Sequence, residues 1–199
     1  MTPQQDPAAI KSAIRQKYAE VAVSAAGKFQ YPTGREGAEL LGYERAFIQS
    51  APPQLLDSFC GVGNPFSLGE LRPGSAVLDV GCGAGFDMYI AGRLVGDRGR
   101  VCGIDLTDEM ASLARKNLAK TDILNAEIKT ADTEHIPYPE QSFDVVISNG
   151  VINLSPSKQA TFREVYRVLR PGGTLQFADV VLEQDLPAAL SGSADAWAQ

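Results

Sequence analysis

The first third of the chain has the apolar spacing of helices. Apolar residues recur every three or four positions between residues 7 and 24, which predicts an amphipathic helix. Residues 36–59 predict two shorter helices separated at Pro52-Pro53, because proline interrupts a helix. The loop FCGVGNPF (59–66) follows, with glycine, proline and one cysteine. We therefore expect residues 1–66 to form a helical lid or extension.

Beyond residue 75, short apolar runs alternate with amphipathic segments. Thr107 is placed to cap one of the helices, and Ser155-Pro156 to start another with Phe162, Val165 and Tyr166 on its apolar face. Alternating strands and helices favour a parallel sheet with right-handed crossovers. Residues 67–199 are therefore predicted to be one α/β domain, with helices on both faces of its sheet. Its strands are predicted at 76–80, 101–105, 126–132, 143–148 and 174–182.

Composition narrows the functions that such a domain could have. The net charge is −6, which disfavours nucleic acid or an anionic membrane surface as a partner. No apolar run is long enough to span a bilayer, and the N-terminus lacks a secretory signal pattern. Three cysteines in an acidic chain without such a signal predict a reduced, cytoplasmic protein. The chain has one histidine, His135, in a polar turn. This disfavours a zinc site with several histidine ligands and a nucleophile activated by histidine.

Glycine is concentrated where a ligand would bind. Eleven of the 19 glycines lie between Gly61 and Gly103, and the turn after the first strand reads DVGCGAGF (79–86). A P-loop would need a lysine and a Ser/Thr after the glycines, and this turn has neither. A dinucleotide turn would need its third glycine at position 86, which is phenylalanine. The third candidate ligand is S-adenosylmethionine (SAM), which has a carboxylate, an ammonium, a sulfonium and a ribose diol.

Acidic residues at strand ends favour SAM. Asp79 precedes the turn, where it could orient the backbone and balance positive charge. Asp105 ends the second predicted strand, where a carboxylate can accept both ribose hydroxyls. Asp132 ends the third, where it could accept from the adenine amino group. The three acids and the glycine turn together predict a SAM site at the carboxyl edge of the sheet.

These residues also carry a family resemblance. The segments VLDVGCGAGFD (77–87), VCGIDLTDEM (101–110) and RVLRPGG (167–173) resemble class I SAM-dependent methyltransferases. The segments FCGVGNP (59–65) and SNGVINLSP (148–156) make the chain similar to the arsenite methyltransferase family. The resemblance implies the Rossmann-like class I SAM methyltransferase fold, SAM as cofactor, and a small acceptor such as thiol-bound arsenite. The residues expected to bind the cofactor are Asp79, Gly81, Cys82, Gly83, Gly85, Asp105, Leu106, Met110, Asp132, Thr133 and Asn149.

The family's cysteines carry over only in part. Cys60 matches the family cysteine in the loop before the first strand, which makes it the candidate acceptor thiolate. The cysteine of the family's SNCVINL segment is Gly150 here, and a third would lie near or beyond Gln199. Cys82 falls in the cofactor turn and Cys102 in a strand, so neither replaces them by motif. Arsenic would then arrive bound to small thiols, or the acceptor is another molecule.

The resemblance also concerns the end of the sheet. The family's last two strands have no counterpart after Leu182, so we expect the fifth strand to have an open edge. The N-terminal helices, the tail or a second copy of the chain, as a homodimer, could cover it. Three functions stay open at this point: a methyltransferase, a SAM-binding protein without catalysis, and a nicotinamide-dependent oxidoreductase.

Overall fold

The computed structural model describes residues 6–181 and contains one five-stranded parallel sheet. The strands are β1 (Ala76–Val80), β2 (Arg100–Asp105), β3 (Ala126–Thr130), β4 (Phe143–Asn149) and β5 (Leu169–Ala178). Their order across the sheet is β3-β2-β1-β4-β5, and all neighbouring pairs are parallel. The order reverses between β1 and β4, and ligands of such sheets bind beyond the carboxyl ends of the strands at that point.

Seven α-helices surround the sheet within the described residues. They are α1 (Pro7–Val23), α2 (Gly34–Leu40), α3 (Arg45–Ser50), α4 (Pro53–Asp57), α5 (Phe86–Val95), α6 (Asp108–Leu118) and α7 (Lys158–Val168). The long N-terminal helix is confirmed. The segment predicted as two helices is three, since the chain also leaves helical geometry at Gly42, which has a φ of +76°.

Two hydrophobic cores lie on opposite faces of the sheet, and alternate residues of β1 contribute to them. Val77 packs with residues of α5 and α6 in one core, whereas Leu78 and Val80 pack with Val165 of α7 in the other. All five residues of β1 are buried. A central strand that is buried on both faces requires helices on both sides, so the predicted architecture is confirmed.

Several predicted boundaries are wrong by a few residues. Strand β3 ends at Thr130, so Asp132 lies in the loop beyond it. Helix α7 begins at Lys158 after a 3₁₀ turn at Ile152–Leu154, and the Ser157 side chain caps it. Thr107 occupies the N-cap position of α6, but its side chain makes no capping hydrogen bond. Its backbone N–H instead donates to Asp105 Oδ1 at 2.9 Å.

The segment around residue 170 also differs from the prediction. Strand β5 begins at Leu169 rather than at residue 174, and its pairing with β4 is irregular at the Arg170–Gly173 stretch. Strand β5 ends at Ala178, and its remaining predicted residues up to Val181 are not strand. Phe162 and Tyr166 of α7 were expected to be buried but are 40% and 82% exposed. Helix α7 packs instead through Thr161, Val165 and Val168.

Two predictions lie partly outside the described residues. The segment after Leu182, with the tail that could cover the edge of β5, lies outside the described residues. Within residues 6–181, β5 pairs with β4 on one side and with no strand on the other. None of the helices in this range combines the length and apolar character that crossing a bilayer requires.

Candidate functional site

A cleft opens at the carboxyl ends of β1, β2 and β4, beneath helix α1. Its walls come from α1, the loop before β1, the turn after β1, the start of α6, and the segments that follow β3 and β4. The lining residues are Lys11, Ile14, Tyr18, Cys60, Gly81, Gly83, Asp105, Leu106, Thr107, Met110, Asp132, Thr133, Asn149, Gly150, Val151, Leu154, Ser155 and Pro156. The cleft therefore contains most of the residues that the sequence predicted for the site.

The glycine turn, residues 81–85, forms one side of the cleft. Gly81 has a φ of +79° and Gly85 a φ of +95°, values that side-chain-bearing residues rarely adopt. The N–H groups of Gly81 and Cys82 donate to the Ile104 carbonyl at 2.8 and 2.9 Å, which ties the turn to β2. A Cβ at Gly81 would overlap the Val151 side chain. Backbone thus faces the cleft directly at this turn.

Two of the residues predicted for this turn do not line the cleft. The Cys82 side chain is buried in a hydrophobic core beside Gly103. Gly85 lies against Ala114 and Leu118 of α6. Cys102 is fully buried in the core on the other face of the sheet.

Asp105 holds the turn in place from the end of β2. Its two carboxylate oxygens accept the N–H groups of Gly83 and Thr107, each at 2.9 Å. Burial raises the pKa of Asp105 to about 6, although these hydrogen bonds oppose the rise. A carboxylate has about four acceptor sites, so Asp105 can also accept from a ligand in the cleft.

Asp105 belongs to a group of three buried carboxylates. Asp79 and Asp87 are also buried, and Asp79 Oδ2 has no hydrogen-bond partner. Burial raises the pKa of Asp79 well above its ordinary value, and the charges of Asp87 and Asp105 add to the rise. Burial also raises the pKa of Asp87 to about 6, against hydrogen bonds from Tyr43 and Asn149 that lower it. Among the described residues, no ion pair neutralises any of the three.

Helix α1 is attached to the segment after β3 by an ion-pair cluster. Lys11 Nζ lies 2.6 Å from Asp132 and 2.8 Å from Glu134. The predicted adenine acceptor, Asp132, therefore contacts a lysine of the lid. Beside it, the Thr133 hydroxyl is 3.0 Å from that of Thr161.

Apolar residues join α1 to the start of α6. Leu106 packs with Ile10 and Ile14, and Met110 packs with Val21. Tyr18 of α1 packs against both clusters and lines the cleft. Helix α1 is therefore held over the cleft by apolar contacts with the start of α6.

Cys60 reaches the cleft from a segment that we call the Cys60 loop, residues 59–64. The thiol is partly buried and packs against the cluster around Met110. Burial raises the pKa of the Cys60 thiol to about 12, Asp105 and Asp87 add repulsion, and Lys17 opposes the rise. Gly150, in the position of a family cysteine, lines the same cleft, has a φ of +72°, and lies against Val62. Within residues 6–181, no cluster of three or more His, Cys, Asp or Glu side chains suited to a metal ion occurs.

Asn149 was predicted to bind the cofactor, but its amide is occupied by protein groups. Its Oδ1 accepts the N–H groups of Val62 and Gly63, and its Nδ2 lies within hydrogen-bond distance of Tyr43, Asp87 and the Gly63 carbonyl. Sequence reasoning missed Tyr43, Asp87 and Lys11 altogether. The one signal for Asp87 was that it is an acidic residue two positions after the glycine turn, at the end of the segment VLDVGCGAGFD (77–87). Nothing in the sequence pattern marks Tyr43 or Lys11.

The strand order, the glycine turn and the acid-lined cleft define the Rossmann-like class I SAM methyltransferase fold. The chain belongs to the methyltransferase domain family, whose model matches residues 71–199. It is 39% identical to the arsenite methyltransferase of Halobacterium salinarum, over 94% of this chain and 51% of that protein. The predicted resemblance is thereby confirmed.

Solved structures agree with this assignment. An arsenic (III) S-adenosylmethionine methyltransferase from Chlamydomonas reinhardtii superposes with a TM-score of 0.67 and 36% identity, over 73% of this chain and 51% of that one. A SAM-dependent methyltransferase from Aquifex aeolicus superposes with a TM-score of 0.55 and 27% identity, over 63% and 70% of the two chains. The chain spans about half the length of the arsenite methyltransferases that it matches.

Proposed function

We propose that this chain is the SAM-binding part of an arsenite methyltransferase, which transfers a methyl group from SAM to trivalent arsenic held at Cys60. Residues 67–199 would form the SAM-binding domain and residues 1–66 its helical lid. The cleft gathers the glycine turn, the strand-end acids and Cys60 on one edge of the sheet. The arsenite methyltransferase of Halobacterium salinarum matches 94% of the chain and that of Chlamydomonas reinhardtii 73%.

The observation that carries the cofactor assignment is the group of buried carboxylates at this edge of the sheet, of which Asp105 lines the cleft. Asp79, Asp87 and Asp105 are buried, and within the described residues none of them forms an ion pair. Burying an unpaired carboxylate is unfavourable, so a ligand that brings positive charge is strongly preferred there. SAM brings an ammonium and a sulfonium, whereas a nicotinamide dinucleotide brings two phosphate charges that these acids would repel. The charge therefore supports SAM over the oxidoreductase alternative.

The cofactor would be held by the residues predicted for it that line the cleft. Gly81 and Gly83 allow close backbone approach, Asp105 accepts from the ribose diol, and Leu106 and Met110 pack against the adenine ring. Asp132 and Thr133 would face the adenine amino group. Asp132 would then accept from this amino group while it keeps its ion pair with Lys11. Asp79, Cys82 and Gly85 support the turn from behind. When bound, SAM supplies an electrophilic methyl group, which an acceptor takes by in-line displacement.

Arsenic suits an acceptor site without a strong base. Trivalent arsenic carries a lone pair and prefers thiolate ligands, so no proton has to be removed from it in the transfer step. Cys60 binds it by exchange, in which the thiol proton passes to the small thiol that leaves arsenic. Gly150 supplies no second thiolate at the cleft, so the substrate brings its other ligands as small thiols.

The same proposal includes a cellular location and the kinds of partner. We place the protein in the cytoplasm, where Cys60, Cys82 and Cys102 stay reduced. A small molecule is its partner rather than nucleic acid or a membrane. The edge of β5, which pairs with no strand among residues 6–181, supports pairing with a second copy as a homodimer, which analytical ultracentrifugation would test.

Calorimetric titration with SAM and S-adenosylhomocysteine, followed by turnover with arsenite and glutathione, tests the proposal. We expect SAM to bind, and Cys60→Ser to abolish arsenic methylation while leaving SAM affinity unchanged. Cys102→Ala is the control, because Cys102 lies in the core of the opposite face. Absence of SAM binding would refute the assignment. Binding with turnover of a different small acceptor, from a panel run in parallel, would refute arsenic as substrate, and binding without any turnover would favour a non-catalytic role.

A further inference from the structure

The side chain of Asn149, at the end of β4, fastens the Cys60 loop to the sheet. Its Oδ1 accepts the Val62 N–H at 2.8 Å and the Gly63 N–H at 3.1 Å. Its Nδ2 lies 2.9 Å from the Gly63 carbonyl. One amide therefore fixes the backbone two and three residues beyond Cys60.

The same amide connects the loop to the start of α5. Asn149 Nδ2 lies 3.2 Å from Asp87 Oδ2 and 3.0 Å from the Tyr43 hydroxyl, and Tyr43 donates to Asp87 Oδ1 at 2.7 Å. Asp87 and Tyr43 are 7% and 5% exposed. Asp87 lies two residues after Gly85, in the first turn of α5. The three polar side chains thus link the Cys60 loop to the turn predicted to hold the cofactor.

The backbone on the other side of Cys60 is anchored as well. The Tyr31 hydroxyl donates to the Cys60 carbonyl at 3.0 Å, and the Gly34 N–H donates to the Phe59 carbonyl at 2.7 Å. A Cβ at Gly61 would overlap the Asn149 amide. The loop is therefore packed closely against Asn149, with Cys60 between two fixed points.

We propose that Asn149, Asp87 and Tyr43 are positioning residues that fix the Cys60 thiol relative to the glycine turn. This inference rests on the proposed function, since it assigns how the acceptor is aligned with the methyl group of SAM. In-line transfer depends steeply on the distance and angle between the reacting atoms. An amide suits the role because it both accepts from the loop N–H groups and donates to Asp87. Its oxygen already accepts two bonds and its two hydrogens face three acceptors, which leaves no capacity for a ligand.

Two near-isosteric variants test the inference. Asn149→Asp keeps the shape but replaces the donating NH₂ with an oxygen that faces Asp87 and the Gly63 carbonyl. Tyr43→Phe is milder, since it removes one hydroxyl from the group. Asn125→Asp is the matched control, because Asn125 donates to the Gly96 and Gly99 carbonyls at the opposite end of the sheet.

The first readout needs neither cofactor nor substrate. We expect iodoacetamide to alkylate Cys60 about fivefold faster in Asn149→Asp and about twofold faster in Tyr43→Phe, measured by peptide mass spectrometry, because the loop opens more often. The rate in Asn125→Asp should equal that of the original chain. Cys82 and Cys102 serve as internal references, since both are buried.

The second readout separates positioning from general damage. At saturating SAM and arsenite with glutathione, kcat of Tyr43→Phe should fall about tenfold while its KM for SAM changes by less than about threefold. Unchanged alkylation and unchanged kcat in both variants would overturn the inference, as would an equal loss in Asn125→Asp. If the original chain shows no turnover but Asn149→Asp still exposes Cys60, the proposed function fails while the anchoring of the loop stands.

Discussion

The three buried carboxylates predict an unusual dependence of stability on pH. Burial raises the pKa of Asp87 and of Asp105 to about 6 in the folded chain, from an ordinary value of 3.8. The folded state therefore favours the protonated forms. The stabilisation is complete below the ordinary value and is lost as pH rises through about 6. The ligand-free protein should lose stability between about pH 5 and pH 7.5.

The magnitude follows from the size of the shift. At about pH 5 each of the two carboxyls is mostly protonated in the folded chain and almost fully ionised in the unfolded chain. This difference in bound protons persists for about one pH unit, up to the folded pKa of about 6. Each unit corresponds to about 1.4 kcal/mol, so Asp105 alone contributes about 1.4 kcal/mol and the pair about 3 kcal/mol. For a chain of this size, 1 kcal/mol shifts the melting temperature by about 2 to 4 °C.

Thermal unfolding followed by circular dichroism measures the effect. Asp105→Asn removes one titrating group. Between about pH 5 and pH 7.5 the melting temperature of this variant should therefore fall by about 3 °C less than that of the original chain. Asp97→Asn removes the same charge from an exposed position and is the control. Equal pH slopes in Asp105→Asn and Asp97→Asn would refute the reasoning.

The cofactor should act on the same groups. Bound SAM places positive charge beside the carboxylates and favours their ionised forms, so its affinity should rise between about pH 5 and pH 7.5. Titration calorimetry at the two pH values tests this. An affinity that falls over the range would contradict the charge argument for SAM.

Three further substitutions have expected outcomes. Asp105→Ala should weaken SAM binding by about 1.5 to 3 kcal/mol through loss of charge-assisted hydrogen bonds, and unchanged affinity in calorimetry would remove Asp105 from the cofactor site. Gly61→Ala places a methyl group against the Asn149 amide and should lower the free energy of unfolding in urea by about 1 to 3 kcal/mol, while a neutral result would show that the loop has room to spare. Lys11→Ala breaks the ion pairs between α1 and two carboxylates after β3 and should lower stability by about 1 kcal/mol and speed amide exchange in α1, which would stay slow if the apolar contacts alone hold the lid.

The sequence was sufficient to predict the sheet and the side of it that carries the site. The run AVLDV forms a buried strand because its residues are mostly apolar, and the turn after it needs glycine because several of its φ angles are positive. Both requirements concern neighbouring residues, so they can be recognised in the sequence. Asp105 was placed correctly because it directly follows an apolar run. Cys60 was predicted as the candidate acceptor thiolate because its loop resembles that of the arsenite methyltransferase family.

The features that sequence reasoning missed depend on contacts between distant segments. Tyr43 and Asn149 are 106 positions apart and meet through the packing of the lid on the sheet. Lys11 looks like an ordinary surface residue of an amphipathic helix until α1 docks beside Asp132. Phe162 and Tyr166 have the spacing of a buried face, but spacing cannot tell whether another segment covers that face.

The hydrogen bonds of Asn149 also have a consequence for the order of folding. They join its side chain to Val62 and Gly63, across 87 and 86 positions of sequence. Closing so long a loop of chain is entropically unfavourable until intervening structure brings its ends together. The Cys60 loop should therefore dock only after β4 has added to β1, so that in refolding the Cys60 thiol reaches its place after the central sheet has formed.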